Sequence, residues 1–509
     1  MYKRLFFTMA LLITMPLFIM AQYINQLYAY DSLPDFGWNV FAQTDSNNDY
    51  LVFVAGCFGA QNNSDIAWMT ISQNGDTVFH KNTLLADTLF SYYQGNPGAV
   101  KKLSDGGYMI PLTKQVTPAI VSQWRSFAGI CRLKNSLDTM FVKMYTDTSL
   151  YFDVINDGSV MPDGGFLLGG ERYTGTFGIG LVIRTDSMGN MLWENTYRYN
   201  YRDETQVYTI EALPNGNILI GATDISVEDV PGSSEAYYKY APWYIITDSM
   251  GNIIKDTLYA SRYAGGGSIY ADNNGGYYQW GWLDTLYIPT DVYAFDNFPY
   301  YVAHLDSNFN VQWCTPTSGV NSQGYIWRVQ QLTDSTYLAT GDKADTTAIP
   351  YYGWAAKIDK NGNILWSTKY TPDSNNDAYL RSAAELPNGH LVFTGAGFYQ
   401  VSADTFMQDV WLLGIDSNGC IVPGCTGTLV PPLQPIAGDI NVFPNPATRE
   451  LNITSSENID KVQVYNMLGV VVFTGYYAAK EVSVSLGGWP PGVYIVRING
   501  LWMQQIVKE

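Results

Sequence analysis

Paired carboxylates are the residues of this sequence whose spacing best suits acid–base chemistry. They are Asp45 and Asp49 in TDSNND, Asp373 and Asp377 in PDSNND, and the adjacent Asp203 and Glu204. Two carboxyl groups in reach of one substrate can act as general acid and general base. Closely spaced oxygens can also bind Ca²⁺, but TDSNND lacks the glycine and the distal glutamate of an EF-hand loop. We interpret these segments as turns, which Asp and Asn favour, and predict no metal site.

The sequence gives little support for catalysis by a histidine or by a nucleophilic side chain. The three histidines, His80, His304 and His390, lie outside any catalytic motif, and GxSxG, HExxH and GxxxxGK[ST] are absent. No CxxC pair is present, so a zinc site is not expected. The sequence therefore predicts no catalytic residue and no cofactor.

The five cysteines divide by position. Cys420 and Cys425 lie close together in GCIVPGC, and we predict that they form a disulfide in an oxidising compartment. Cys57, Cys131 and Cys314 lie in apolar segments typical of strands, where we expect buried thiols.

The composition indicates an exported, all-β protein. The 509 residues include 39 Tyr and 47 Gly, and Tyr favours strands. A net charge of −18 opposes binding to nucleic acid and anionic membranes. Residues 1–21 are predicted to be a signal peptide, because Lys3 and Arg4 precede an apolar run that ends before Ala21. No later apolar run reaches the roughly 18 residues that a membrane span needs.

One sequence motif recurs along the chain. It consists of an apolar run, a polar turn with glycine, and a second apolar run. Its clearest copy is LVIRTDSMGNMLW at Leu181–Trp193, and weaker copies bring the number to seven. A second cassette is an Asp-Gly or Asn-Gly turn followed by an apolar strand that ends in glycine, as in DGGFLLGG from Asp163. Its copies are 52 to 60 residues apart. Each period thus holds four strands.

Seven units of four antiparallel strands predict a seven-bladed β-propeller over residues 22–425. One blade cannot bury both faces of its sheet, whereas a closed ring of blades can. The strand-like run Tyr23–Tyr30 is left over, and we predict that it completes the last blade. The carboxylate pairs are expected in equivalent connections between blades. Tryptophans that recur in register, such as Trp68 and Trp193, are expected to pack between blades.

Long insertions are the better clue to binding, because loops on a rigid scaffold carry function. The period is stretched at Thr113–Phe127, Ser226–Pro242 and Leu283–Pro299, each between the second and third strands. We expect these loops to emerge on one face and to offer aromatic side chains to a sugar or protein. The candidate ligand-binding residues are Trp124, Tyr237, Tyr238, Tyr240, Tyr287 and Tyr293.

The recurring hairpin resembles two families of propeller repeat. The quinoprotein-like repeat has Asp, a turn with Gly and then Trp, but here Gly189 follows Asp186 after three residues, one sooner than in that family. The Asp-box of sialidase-like propellers, Ser-x-Asp-x-Gly, is also spaced differently. The resemblance implies the fold, without quinone or sialic-acid chemistry.

After a linker at 426–438, residues 439–509 alternate apolar residues with Pro and Gly turns and predict a small immunoglobulin-like β-sandwich. Its marked residues are Pro444, Asn445, Pro446, Gly469, Pro491, Gly492, Tyr494 and Lys508. In these residues the segment closely resembles the type A C-terminal sorting domain of the type IX secretion system of Bacteroidetes-like bacteria. The resemblance implies recognition by the outer-membrane translocon. It also implies surface attachment through a lipopolysaccharide-type anchor after removal of the domain, or release.

These features predict a secreted or cell-surface protein that binds a glycan or protein without catalysis. The alternative is an extracellular polysaccharide hydrolase or lyase that uses paired carboxylates. A third class is a purely structural surface-layer protein.

Overall fold

The structure is a computed structural model that describes residues 24–28, 35–44, 49–58, 64–72, 77–84, 90–116, 125–145, 152–173, 178–200, 204–229, 236–259, 264–273, 275–283, 300–317, 324–344, 351–372, 377–402, 405–421, 440–466, 471–498 and 502–509. Every regular element in these residues is a β-strand, which confirms the all-β prediction. Among them, no helix is long and apolar enough to cross a membrane.

The described residues of the first half of the ring form fourteen strands. They are β1 (Asn25–Tyr28), β2 (Asp35–Thr44), β3 (Asp49–Phe58), β4 (Ser64–Ser72), β5 (Thr77–Leu84), β6 (Phe90–Tyr93), β7 (Lys101–Lys102), β8 (Tyr108–Val116), β9 (Arg125–Leu133), β10 (Thr139–Met144), β11 (Phe152–Val160), β12 (Phe166–Tyr173), β13 (Gly178–Thr185) and β14 (Met191–Tyr197).

The second half contains fifteen more. They are β15 (Glu204–Ala212), β16 (Ile218–Asp229), β17 (Ala236–Thr247), β18 (Ile253–Leu258), β19 (Ala264–Ala271), β20 (Tyr277–Leu283), β21 (Tyr300–Leu305), β22 (Val311–Pro316), β23 (Gly324–Gln331), β24 (Tyr337–Lys343), β25 (Tyr352–Ile358), β26 (Ile364–Tyr370), β27 (Ala378–Glu385), β28 (Leu391–Ser402) and β29 (Thr405–Ile415).

Most of these strands form four-stranded antiparallel sheets in chain order, namely β2–β5, β15–β18, β19–β22 and β23–β26. Strands β6–β14 form one nine-stranded sheet, in which a single parallel pair, Phe152 with Ser126, joins two antiparallel sets. Successive sheets pack on each other, and β2 packs on β28, so the series returns to its start. This is the architecture of a β-propeller, while the number of seven blades stays a prediction.

Strand β1 closes the ring. It pairs with β29, so that the last sheet has the order β1-β29-β28-β27. Asn25 lies opposite Leu413, and Oδ1 of Asn25 accepts a hydrogen bond of 2.8 Å from Nε1 of Trp411. The prediction that the N-terminal strand completes the last sheet is confirmed.

The recurring hairpin turn is held by its aspartate. Oδ1 of Asp186 accepts backbone hydrogen bonds from Met188 at 2.9 Å and Asn190 at 2.8 Å, and Oδ2 accepts one from the Asn190 side chain at 2.7 Å. The same three bonds recur at Asp248, Asp306 and Asp359. The repeated Asp and Asn are therefore turn chemistry.

The recurring tryptophans join neighbouring sheets, as predicted. Trp68, Trp354 and Trp411 open third strands and are at most 1% exposed. The hairpin-closing tryptophans each donate a hydrogen bond to a carbonyl in the hairpin turn of the next sheet: Trp193 to Ser249, Trp313 to Lys360 and Trp366 to Ser417.

The C-terminal segment is a separate set of five strands: β30 (Asn441–Phe443), β31 (Glu450–Asn466), β32 (Val471–Ser485), β33 (Gly492–Ile498) and β34 (Trp502–Lys508). The two long strands β31 and β32 pair along both their halves, with an irregularity between Thr454 and Ile459. One core contains Leu451 and Val484 from one half and Val464 and Val496 from the other. The two layers are thus made by one folded sheet, and the likeness to immunoglobulin stays a prediction.

Candidate functional site at the mouth of the ring

The first strands of the sheets share a β-bulge at the same place. The pairing register shifts by one residue around Trp38 in β2, Asn156 in β11, Tyr208 in β15, Trp327 in β23 and Arg381 in β27. A bulge leaves one residue unpaired and redirects its side chain. Five sheets therefore present one extra side chain each near the start of their first strand.

Glycines on the second strands make room for these bulges. A Cβ on Gly341 would lie 1.8 Å from the carbonyl oxygen of Tyr325, and one on Gly395 would lie 1.8 Å from that of Tyr379. These are the glycines that end the second repeated cassette. They pair with Ile326 and Leu380, the residues just before two of the bulges.

Three of the bulge side chains meet. The guanidinium carbon of Arg381 lies 3.5 Å from the ring centroid of Trp327 and 5.2 Å from that of Trp38, and the two indole rings are 6.5 Å apart. Tyr379 lies 5.3 Å from the same guanidinium, and Tyr325 packs on Trp327. We call these five residues the mouth. All five are partly exposed, so the rings are open to a ligand.

Arg381 has unused hydrogen-bonding capacity. Its Nε and Nη1 are buried, and no acceptor for them lies among the described residues. Burial lowers the pKa of Arg381 to about 10, which leaves it charged at neutral pH. A buried donor without a partner is costly, so these two nitrogens are unsatisfied groups of the mouth.

Asp342 is the acid beside this arginine. It is 2% exposed and accepts a hydrogen bond from Nε1 of Trp327. Burial raises the pKa of Asp342 to about 7, although the charge of Arg381 opposes the shift. Near neutral pH its carboxyl group is therefore only partly ionised and balances the arginine incompletely.

A second group of side chains lies one step further along the same strands, and we call it the charged cluster: Lys101, Asp157, Glu211, Tyr270 and Arg328. Asp157 accepts hydrogen bonds from Tyr270 at 2.7 Å and from the backbone of Ile210 at 3.0 Å, and Lys101 Nζ lies 3.3 Å away. Burial raises the pKa of Glu211 to about 7 and lowers that of Lys101. These contacts tie three sheets together: the nine-stranded sheet, β15–β18 and β19–β22.

Arg328 reaches across the ring. Its Nη1 donates a hydrogen bond of 3.1 Å to the carbonyl of Pro97, 231 residues earlier. Gly98 permits this, because a Cβ there would lie 1.1 Å from Nη1 of Arg328. A cavity of about 340 Å³ beside the charged cluster is lined in part by Lys101, Lys102 and Arg328.

A third group of side chains contains two neighbouring carboxylates, those of Glu171 and Glu204. Tyr173 and Gln206 donate hydrogen bonds to Oε1 of Glu204, at 3.2 Å and 2.7 Å. Burial raises the pKa of Glu171, beside them, to about 7, and the charge of Glu204 adds to the shift. Glu171 ends a second strand and Glu204 begins a first strand, so this pair lies at the same end of the sheets as the mouth.

The predicted ligand-binding residues are not brought together by the described structure. Trp124, Tyr287 and Tyr293 lie outside the described residues, as do the side chains of Tyr237 and Tyr238. Tyr240 packs edge-on against Trp282 at 5.9 Å. The predicted loop Ser226–Pro242 is mostly strand, since β16 and β17 pair from Ile218 to Asp229. The expectation that Ser226–Pro242 is a loop was wrong, because the insertion lengthens the hairpin of β16 and β17. The six ligand-binding residues stay a prediction.

The carboxylate pairs predicted as equivalent lie in different kinds of connection. TDSNND joins β2 to β3 within one sheet, whereas PDSNND joins β26 to β27 between two sheets. The two segments are similar in sequence but connect different kinds of strand pairs, so the predicted equivalence was wrong. Asp45, Asp203 and Asp373 lie outside the described residues. Oδ1 of Asp377 accepts a hydrogen bond of 2.7 Å from the backbone of Tyr351.

His304 has a structural partner. Its Nε2 lies 2.6 Å from Oδ2 of Asp272. At three other places in the ring, a basic residue pairs in the same way with the acid of a turn: Arg132 with Asp105, Arg184 with Asp163 and Lys357 with Asp334. His304 thus occupies a repeated ion-pair position. His390 lies in a turn, and the side chain of His80 is outside the described residues.

Cysteines and possible metal ligands add no further site. Cys420 is in a disulfide bond, whereas Cys425 lies outside the described residues, so their pairing stays a prediction. Cys131 is a buried free thiol and Cys314 a partly buried one. Within the described ranges, no three His, Cys, Asp or Glu side chains gather as metal ligands would.

The marked residues of the C-terminal segment meet at its last strand. Oδ1 of Asn445 accepts a hydrogen bond of 2.9 Å from the backbone of Val507, beside Lys508. Tyr494 is buried, and its hydroxyl bonds the carbonyl of Pro490 at 2.8 Å. Pro444, Pro446, Pro491 and Gly492 are exposed, and Gly469 lies outside the described residues. The segment therefore presents Pro444, Pro446, Pro491 and Gly492 on its surface, while Tyr494 belongs to its core.

Sequence reasoning missed the mouth. Trp38, Trp327 and Arg381 differ in type, so no motif marks them. The signal that could have found them is the glycine that ends each copy of the second cassette, because a strand opposite a repeated glycine can bulge.

Fold and site together define a class: an exported β-propeller protein with a type IX sorting domain at its C-terminal end. Residues 441–508 match the family model described as the secretion system C-terminal sorting domain. Such domains mark proteins that are secreted or attached to the outer cell surface through the type IX machinery. A comparison with curated proteins finds no match.

The solved structures that the comparison matches are distant in sequence. A polysaccharide lyase, described as a PL25 ulvan lyase, has 9% identity and a TM-score of 0.49, covering 77% of this chain and 96% of its own. The β-propeller domain of the trilobed protease from Pyrococcus furiosus has 7% identity and a TM-score of 0.38, covering 74% and 95%. PorZ, a type IX surface component of Porphyromonas gingivalis, has 9% identity and a TM-score of 0.18, covering 96% and 100%.

Proposed function

We propose that this protein binds a glycan or a protein at the mouth, outside the cell, without catalysing a reaction. The observation that carries the proposal is the set of partly exposed aromatic rings, Trp38, Tyr325, Trp327 and Tyr379, around one arginine. Aromatic rings supply a large contact area at low entropic cost and suit the faces of sugars and side chains.

The predicted tyrosine-rich insertions fit this placement. They connect second strands to third strands, and in an antiparallel sheet the end of the second strand lies beside the start of the first. The mouth residues lie within the first few positions of β2, β23 and β27. Side chains such as Tyr287 and Tyr293 would then extend the same binding surface.

The test is binding of the full chain to a glycan array and capture of proteins from its native environment. We expect Trp38→Ala and Trp327→Ala to weaken the interaction at least tenfold. Trp193→Ala, on a hairpin outside the mouth, is the matched control and should leave it unchanged. Equal binding by all three variants would exclude the mouth as the site.

A second candidate function is cleavage of a polysaccharide by Glu171 and Glu204. It is favoured by the pKa of Glu171, which at about 7 suits a general acid or base. Release of reducing ends or of unsaturated sugars from a polysaccharide panel would support it. Loss of that turnover in both Glu171→Gln and Glu204→Gln would locate it here.

A further inference from the structure

We propose that the mouth recognises an acidic sugar, whose carboxylate or sulfate ester binds the guanidinium of Arg381 while Trp38 and Trp327 hold the sugar ring. This inference rests on the proposed function and narrows its ligand.

The arginines of this chain differ in whether a carboxylate pairs with them. Arg172 is paired on both sides, with Asp153 at 2.9 Å through two nitrogens and with Glu194. Arg184 is paired with Asp163. Arg381 has no such carboxylate partner in the described part of the chain, and its Nε and Nη1 remain without acceptors. The charged guanidinium therefore keeps donors that a carboxylate or sulfate can accept, with Nε and Nη1 on different edges of the group.

The guanidinium of Arg381 is held by the ring of Trp327. Its guanidinium carbon is 3.5 Å from the centroid of the Trp327 ring, so the flat face of the group is used by the indole. A cation–π contact of this kind engages the charge without using the N–H groups, which stay available as hydrogen-bond donors. The arginine is thus fixed in place before a ligand arrives, which lowers the entropic cost of binding.

Two carboxylates near Arg381, those of Asp342 and Asp377, accept hydrogen bonds from other groups. Asp342 accepts a hydrogen bond from Nε1 of Trp327, and Asp377 accepts one from the backbone of Tyr351. Both carboxylates are therefore engaged by other donors. In a chain with a net charge of −18, a local cation of this kind is needed before an acidic ligand can approach.

The experiment measures binding of the full chain to three sets of oligosaccharides: uronic-acid, sulfated and neutral. We expect acidic sugars to bind, with an affinity that falls as salt rises, and neutral ones to bind at least tenfold more weakly. The arm that binds identifies carboxylate or sulfate as the anion. Arg381→Gln should cost at least tenfold, and Arg381→Lys less, because the charge is kept while the planar donors are lost.

The matched control is Arg125→Gln. Arg125 lies in β9 of a different sheet, where its backbone is paired with that of Val116 in β8. It should bind as the unchanged chain does. Near-ultraviolet circular dichroism confirms that each variant is folded, and the salt dependence of the unchanged chain is a test that needs no variant. Binding of neutral sugars that depends on Trp327 but not on Arg381 would overturn this inference and leave the proposed function standing. Absence of binding to any sugar or protein would overturn both.

Discussion

The hydroxyl of Tyr270 donates a hydrogen bond of 2.7 Å to Oδ2 of Asp157, although 113 residues separate them. Tyr270 lies in β19 and Asp157 in β11, and the sheet β15–β18 comes between these two strands along the chain. The bond therefore joins two sheets that are not consecutive. It shows that the inner strands are held by specific polar contacts as well as by apolar packing between sheets.

Removing this contact should weaken the fold. We expect Tyr270→Phe to lower the free energy of unfolding by about 1–3 kcal/mol, because it leaves a buried charged acceptor with fewer donors. Chemical denaturation measures the change. Tyr199→Phe, at a tyrosine that is 49% exposed, is the control and should change little. Equal stability of the two variants would contradict a central role for the bond.

The glycine opposite the Arg381 bulge is open to a direct test. We expect Gly395→Ala to cost about 1–3 kcal/mol of stability and to weaken ligand binding, since the new Cβ would lie 1.8 Å from the carbonyl of Tyr379. Gly492→Ala, where no atom lies within 4 Å, is the matched control. Unfolding curves and binding isotherms are both needed, because a stability loss without a binding change would separate the glycine from the mouth.

Closure of the ring depends on one short strand. Asn25→Ala removes the acceptor of the Trp411 indole N–H, which should cost about 1–2 kcal/mol and lower the melting temperature. Gln26→Ala, at the exposed neighbouring position, should have little effect. A chain that lacks residues 25–28 should melt far lower still, and an unchanged melting temperature would refute the closure.

The hairpin aspartates set the acid limit of stability. The side chains of Asn190, Asn252 and Asn310 hydrogen-bond the carboxylates of Asp186, Asp248 and Asp306 and lower their pKa values. A lowered folded pKa gives stability that is present above the unfolded value near 3.9 and is lost as pH falls through the folded one. We expect melting temperatures to drop below about pH 4. Replacing the three asparagines with alanine should reduce that drop.

Asp342 should act in the opposite direction. Its pKa is raised to about 7 by burial, so the folded state keeps a proton that the unfolded chain releases near pH 4. Its contribution is therefore greatest in acid and declines as pH rises from about 4 to 7. The difference in unfolding free energy between the unchanged chain and Asp342→Asn, followed over that range, should show this slope. A constant difference would contradict it.

The sequence alone determined the repeat, its strands, the ring-closing strand, the packing role of the tryptophans and the sorting domain. These features are local: a period, a turn residue such as Asp186, or a motif such as Pro444-Asn445-Pro446 carries its own signal. The mouth and the charged cluster were decided only by tertiary structure. Trp38, Trp327 and Arg381 come from three sheets, and their meeting depends on bulges, on closure of the ring and on the space left by glycines such as Gly395. Distances between residues some 50 to 350 positions apart follow from how the sheets pack. A pattern along the chain contains no information about such distances.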